Sequence, residues 1–257
     1  MVKKRLIFIL YYYQGYFYLS RNFILQKVGD INWLLEKFKF KNIGDVIDEI
    51  VFINVDRNRP SVIEDAFFRD IERLLESVLV PFAIGGGINS TKDIDACFKF
   101  GSDKVIFTTA FFNKVELLNY TRNNYGNQAL IINIDYKIEA GKRFVFTNNG
   151  SEKKCDFNNH LDNVVNFKPG EIILNSITND GTGYGFDLEI IDQIKDINTP
   201  VIIAGGAGKP EHFQDVLIHN QVSAGATGNL FNFLGDGFTK VRKYLIESNI
   251  NVRNLEI

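Results

Sequence analysis

Eight short, nearly continuous apolar runs punctuate the chain. They are RLIFIL (5–10), EIVFINV (49–55), PFAI (81–84), KVIFT (104–108), LIINID (130–135), EIILNS (171–176), PVIIA (200–204) and SAGAT (223–227). Apolarity that is continuous rather than alternating marks strands buried on both faces, as parallel strands are. Amphipathic stretches between the runs predict helices over 30–42, 61–79, 90–100, 113–125, 158–167, 187–196, 210–219 and 237–248. Ser90, with Asp93 three residues on, opens one of these helices as a cap, and Gly101 closes it. Eight strands alternating with eight helices predict an α/β fold, a single (β/α)8 TIM barrel over 1–257. A doubly wound open sheet shares this alternation and stays as the alternative.

A weak internal repeat favours the barrel and divides it into two half-barrels. PFAIGGGI (81–88) is echoed by PVIIAGGAG (200–208), and Glu49-Ile50-Val51 by Glu171-Ile172-Ile173, each about half a chain later. The segment 136–157 is a long polar insertion after the fifth strand, with a short hairpin expected around FVFT. A loop of that length at the carboxyl end of a barrel strand points to function.

Composition narrows the classes. A hydrophobic content of 45% in 257 residues is enough for a sizeable core. A formal net charge of -2 speaks against a nucleic-acid partner, which needs a broad basic surface. Lys3, Lys4 and Arg5 before LIFIL imitate a secretion signal, but no small-residue cleavage site follows. No run approaches the ~18 apolar residues of a membrane span. The expectation is a cytoplasmic chain without a membrane partner. Cys97 and Cys155 are far apart and lack metal-ligand spacing, so both read as idle thiols. His160, His212 and His219 fall in helical or peripheral segments and read as structural. Neither a metal nor a cofactor is expected.

Two glycine-rich turns stand directly after the third and seventh strands, placing Gly86 and Gly87 in one and Gly205 and Gly206 in the other. Glycine lets backbone N–H groups approach an anion without a side chain in the way. Each following strand ends in small or hydroxyl residues, Thr108 and Thr109 in one half, Thr227 and Gly228 in the other. Strands seven and eight form the habitual phosphate site of such barrels. Here the pattern occurs twice, so a phosphorylated small molecule with a phosphate at each end is the expectation. Tight βα turns alone would also use glycine. At the opposite end, Arg5, Glu49, Lys104 and Glu171 each stand immediately before an apolar run. Parallel barrel strands all start on one face, so two bases and two acids converge there, beyond the general tendency of strand starts to carry charge.

The stretches PFAIGGGINSTKDIDACFKFGSDKVIFTTAFF, NSITNDGTGYGFDLEII and PVIIAGGAGKPEHFQDVL resemble the cyclase subunit of imidazole glycerol phosphate synthase, HisF, and the similarity runs essentially end to end. The resemblance implies a barrel of two half-barrels that docks a HisH-like glutaminase subunit as a heterodimer and receives ammonia through its interior. It implies two catalytic aspartates, one matching Asp135. The other falls on Tyr11, where LYYYQG replaces an L-D-V-K-D-G pattern. The lysine ending that loop falls on Leu19, and a strand-two aspartate falls on Asn54, with Asp56 nearby, whereas Asp180 matches. Arg5, Glu49, Lys104 and Glu171 match the salt-bridged gate at the ammonia entrance, and Asp103 an acidic contact with the glutaminase.

A tyrosine of pKa ~10 cannot replace a carboxylate as general base near neutrality. The resemblance therefore implies a divergent subunit. Related subunits are associated with surface-polysaccharide genes, where ammonia passes to an enzyme that amidinates a sugar. A working cyclase using Asp56 or Asp180, and a non-catalytic scaffold that activates a glutaminase, remain alternatives.

Overall fold

In the computed structural model, the described residues are 2–37, 43–56, 65–229 and 236–255. In chain order the strands are β1 Arg5–Tyr13, β2 Tyr16–Arg21, β3 Ile24–Gly29, β4 Glu49–Asn54, β5 Phe82–Gly85 and β6 Lys104–Phe107. They continue as β7 Leu130–Glu139, β8 Lys142–Thr147, β9 Glu152–Asp156, β10 Glu171–Ser176, β11 Val201–Ala204 and β12 Val222–Thr227. Strands β1, β4, β5, β6, β7, β10, β11 and β12 pair in parallel with their neighbours in that order. β12 then pairs with β1, Arg5 opposite Ala224 through Phe8 opposite Thr227. That last ladder closes the sheet and excludes the open alternative. All eight predicted strands are the barrel strands.

Strand alternation sorts the core into two layers. Ile7, Ile9, Val51, Ile106, Ile131 and Ile173 point inward and pack on one another. Leu6, Phe8, Leu10 and Tyr12 point outward and pack between the sheet and the helices. β11 and β12 bring Ala204, Ala224 and Ala226 to the interior where most other strands bring isoleucine.

The helix Thr91–Phe100 carries the anticipated ends. Ser90 and Asp93 form a reciprocal capping box, and the Gly101 amide donates to Cys97 and Phe98 carbonyls in a left-handed cap. Other boundaries shift. The helix expected over 113–125 begins at Val115, because Lys114 leaves helical geometry (φ -144, ψ 47) and ends the one-turn helix Ala110–Asn113. Over 187–196 there is only a 3-10 turn, Leu188–Ile190, running into Ile191–Ile194, since just Ile190 and Ile194 reach the core. Of the stretches 30–42 and 61–79, Ile31–Lys37 and Asp65–Leu75 are helical, while 38–42 and 61–64 lie outside the described residues. Among the described residues no helix is long and apolar enough to cross a membrane.

Two antiparallel hairpins extend the barrel on its carboxyl side. β7 runs on to Glu139, turns at Ala140 and Gly141 (φ 49 and 74) and returns as β8, which pairs with β9. This is the hairpin expected around FVFT. β1 likewise runs on to Tyr13, turns at Gln14 and Gly15 (φ 47 and 82) and returns as β2, which pairs with β3. Both turns have positive φ at two central residues, the twist that suits a two-residue hairpin. The extended strands are the first and fifth of the barrel, corresponding positions of the two halves.

Candidate functional site

At the amino ends of the strands, Arg5, Glu49, Lys104 and Glu171 share the inward parity of Ile7, Val51, Ile106 and Ile173, so their side chains meet on the barrel axis. They form a closed ring of alternating charge. Arg5 donates to Glu49 Oε2 at 2.7 Å and to Glu171 Oε1 at 2.5 Å. Lys104 Nζ lies 2.9 Å from Glu49 Oε1 and 3.0 Å from Glu171 Oε2. Arg5 also donates to Ser223 Oγ at 3.2 Å. Burial pulls the Arg5 guanidinium down, but Glu171 and Glu49 overcome this and hold it above its ordinary value. Burial pushes Glu49 above the usual carboxylate range in spite of Lys104 and Arg5. Beside the ring, Asp103 is exposed on the same face and accepts from the Phe82 amide at 2.9 Å.

The carboxyl ends surround a cavity of about 340 Å³. Gly86, Gly87, Thr108 and Thr109 border it on one side, and Tyr11 and Asp135 on the other. Gly86 is obligatory, since its φ is +86 and a Cβ there would stand 1.9 Å from the Asn54 carbonyl oxygen. Asp135 ends the inward row Ile131, Asn133, Asp135 on β7. Its Oδ1 accepts from Asn133 Nδ2 at 3.0 Å and Asn175 Nδ2 at 2.9 Å. Burial pushes its pKa up to about 6, against those two donors and with help from the Asp180 charge. A carboxyl poised there can give or take a proton near neutrality.

Tyr11 occupies the matching place on β1, above Ile9. Burial, then Asp180 and Asp135, push its phenol well above its usual range. It stays a neutral phenol at physiological pH and cannot act as the base. On the far side of its ring, Asp180, Gly205, Gly206, Thr227 and Gly228 surround a second space of only about 10 Å³. Asp180 is fastened by the Ser20 hydroxyl at 2.5 Å and the Phe23 amide at 3.1 Å, while burial raises its pKa. The two glycine turns are therefore both present, but they open onto spaces of very different size.

The histidine biosynthesis protein family profile matches residues 36–234. The chain is 35% identical over 248 residues to a protein of Parasynechococcus marenigrum provisionally named imidazole glycerol phosphate synthase subunit hisF2, covering 95% of this chain and 90% of that one. It is 30% identical over 255 residues to HisF of Pelodictyon phaeoclathratiforme and 32% over 264 residues to HisF of Saccharolobus solfataricus. Each match covers 98% of this chain and all of the relative. The chain belongs to the HisF family. Within it this is a divergent member, because the strand-one acid that the family pattern implies is Tyr11.

Three features of this HisF-family site were not read from the sequence. Asn54, 2% exposed, shares the outward parity of Tyr12, and its buried side-chain Nδ2 has no partner among the described residues. Lys114 is the one cation among the described residues that line the cavity. The first hairpin supplies Ser20 and Phe23, which orient Asp180. A signal for that hairpin was present, since Gln14-Gly15 lies between two aromatic runs. His160 stacks on Phe112 with centroids 4.5 Å apart, and His212 Nδ1 accepts from the Gly208 amide at 3.1 Å.

Proposed function

We propose that this chain is the ammonia-receiving subunit of a glutamine amidotransferase complex whose standard cyclase chemistry is impaired. In this reading a HisH-like glutaminase docks on the face carrying the charged ring and Asp103, forming a heterodimer. Ammonia then crosses the apolar barrel interior to the top cavity, or on to a sugar-amidinating enzyme of surface-polysaccharide synthesis. The observation that carries the reading is the contrast along β1. Arg5 at its start completes a four-membered ring, while Tyr11 near its end stands where an acid would face Asp135. A ring of buried charge costs desolvation and is a poor device for stability, so its retention supports a role in passage. Asp135, with its pKa near neutrality, keeps one half of the acid–base pair.

Two assays test this. Reconstituted with the glutaminases of its own genome, the chain should form a one-to-one complex and stimulate glutamine hydrolysis, and Asp103→Ala should weaken that stimulation. A chain that stays monomeric with every candidate would overturn the docking. Supplied with ammonia directly, it should turn over the standard cyclase ribonucleotide at least ~10²-fold more slowly than a two-aspartate cyclase, the low end of what a positioned acid–base group contributes. Rescue of a cyclase-deficient histidine auxotroph would establish the working-cyclase reading instead.

A further inference from the structure

A ligand with a phosphate at each end needs room at both glycine turns, and among the described residues the space at the second is far smaller than at the first. Tyr11 borders both the large cavity and the small cleft and stands between them. Its ring leans on the β12 end, where a Cβ on Gly228 would lie 3.4 Å from Tyr11 Cε2. What remains at the Gly205–Gly206 side, about 10 Å³, is about the volume of one water probe.

The electrostatics of the two spaces differ in the same direction. The cleft is bordered by the Asp180 carboxylate and by Asn229, whose Nδ2 donates to the Ser20 carbonyl and whose buried Oδ1 has no donor among the described residues. An orphan acceptor beside a carboxylate repels an anion. The large cavity has the Asp56 and Asp135 carboxyls too, but it adds a cation, the Lys114 ammonium, and the Thr108 and Thr109 hydroxyls along with Gly86 and Gly87. Lys114 Nζ is held towards this end by the Asn89 carbonyl at 3.1 Å. Among the described residues seven asparagines line the cavity. Asn89, Asn133, Asn148, Asn149 and Asn175 already donate from Nδ2 within the protein, so the remaining amide hydrogens and the side-chain oxygens are what a row of hydroxyls could use.

We infer that the cavity takes a hydroxyl-rich phosphomonoester, with its single phosphate at the Gly86–Gly87 turn against Lys114, and that Tyr11 excludes a second phosphate. This rests on the proposal that the top cavity is the ligand site, but not on partner docking.

Calorimetric titration of the full chain tests the assignment, with inorganic phosphate, ribose 5-phosphate and ribulose 1,5-bisphosphate as probes. The expected result is one phosphate equivalent, displaced by ribose 5-phosphate, with the bisphosphate binding within about 3-fold of the monophosphate. Lys114→Ala should weaken binding about 10-fold or more, as loss of one charge-assisted hydrogen bond does. Tyr11→Gly should admit a second equivalent and favour the bisphosphate. If that variant does not fold, the stoichiometry of the unaltered chain decides alone. Two equivalents in the unaltered chain, or a bisphosphate preference above about 10-fold, overturns the inference. Absence of phosphate binding in a chain that still stimulates its glutaminase overturns it while leaving the proposed function intact. One bound phosphate without any docking glutaminase supports the inference and removes that function.

Discussion

Position 135 shows how far a single residue could be read in advance. Its acid identity and its place at the end of the fifth barrel strand were visible in IINID, but its titration depends on neighbours from β10 that only the closed barrel brings up. Asn175, directly opposite in register, donates to it, and burial outweighs that donor. Position 11 behaves similarly. The loss of an acid was legible, whereas the space the phenol fills was not, because that space belongs to β12. The Asp135 environment has a pH consequence. In the unfolded chain this carboxyl titrates near ~4. The folded chain keeps the proton up to about 6. Between those values the folded state binds more protons, so stability falls as pH rises, and above about 6 the full cost of a buried charge is felt. Asp135→Asn should therefore be more stable than the parent at pH ~7.5 by on the order of 2 kcal/mol, with the gain vanishing towards pH ~4. His160 works in the opposite sense, since burial lowers its pKa to about 4 and its contribution is lost on acidification. It is common to both proteins and cancels. Urea midpoints across this range decide, and a larger gain at the acid end would contradict the account.

At the scale of elements, strand existence was legible because barrel strands are buried on both faces and read as unbroken apolar runs. Helix boundaries were less so, as the break at Lys114 illustrates. The β1–β2 hairpin went unread because its aromatic residues, YYYQGYFYLS, look like an extension of a buried run. In the structure Tyr12 faces outward, its hydroxyl 2.9 Å from Asp70, while Tyr13 and Tyr18 pack edge to face across the hairpin. The β7–β8 hairpin is tied down by a buried cluster that no sequence pattern announced. Arg143 on β8 grips Asp187 with Nε and Nη2, both at 2.7 Å, and the Tyr136 hydroxyl adds a bond at 3.0 Å. Asp187→Ala would leave a buried guanidinium with only the exposed Glu189, at 3.2 Å. Stranding one partner of a buried pair costs about 3 kcal/mol or more. Asp187→Asn retains an acceptor and should cost less. Denaturant midpoints give the total, and faster proteolysis within 140–151 would locate the loosening in the hairpin. Equal losses for the two variants would show that the pairing is not what holds it.

For the whole molecule, β1 is the element that joins the charged ring at one end of the barrel to the cavity at the other. Its inward row runs from Arg5 in the ring through Ile7 and Ile9 to Tyr11 at the cavity, so one strand carries both a part the family pattern preserves and a part it does not. Three of the four ring members come from the first half of the chain and Glu171 from the second, which makes the ring a clasp between half-barrels as well as a barrier on the axis. Arg5→Ala removes the guanidinium that bridges Glu49 to Glu171 and leaves Lys104 alone between one buried and one partly buried carboxylate. Like-charge repulsion then opens the ring or displaces its members. The variant should either lose stability or let ammonia escape, seen as glutaminase activity that persists while glutamine-dependent product falls. Tyr11→Phe keeps the ring's packing, changes only the hydroxyl at the far end, and lies remote from the proposed docking face, so coupling to the glutaminase should be unchanged. The ratio of product formed to glutamine hydrolysed, measured in the reconstituted complex for both variants, separates the two roles. Loss of coupling in Tyr11→Phe with a normal ratio in Arg5→Ala would mean that signals pass down β1 from the cavity, and that the charged ring is only a clasp.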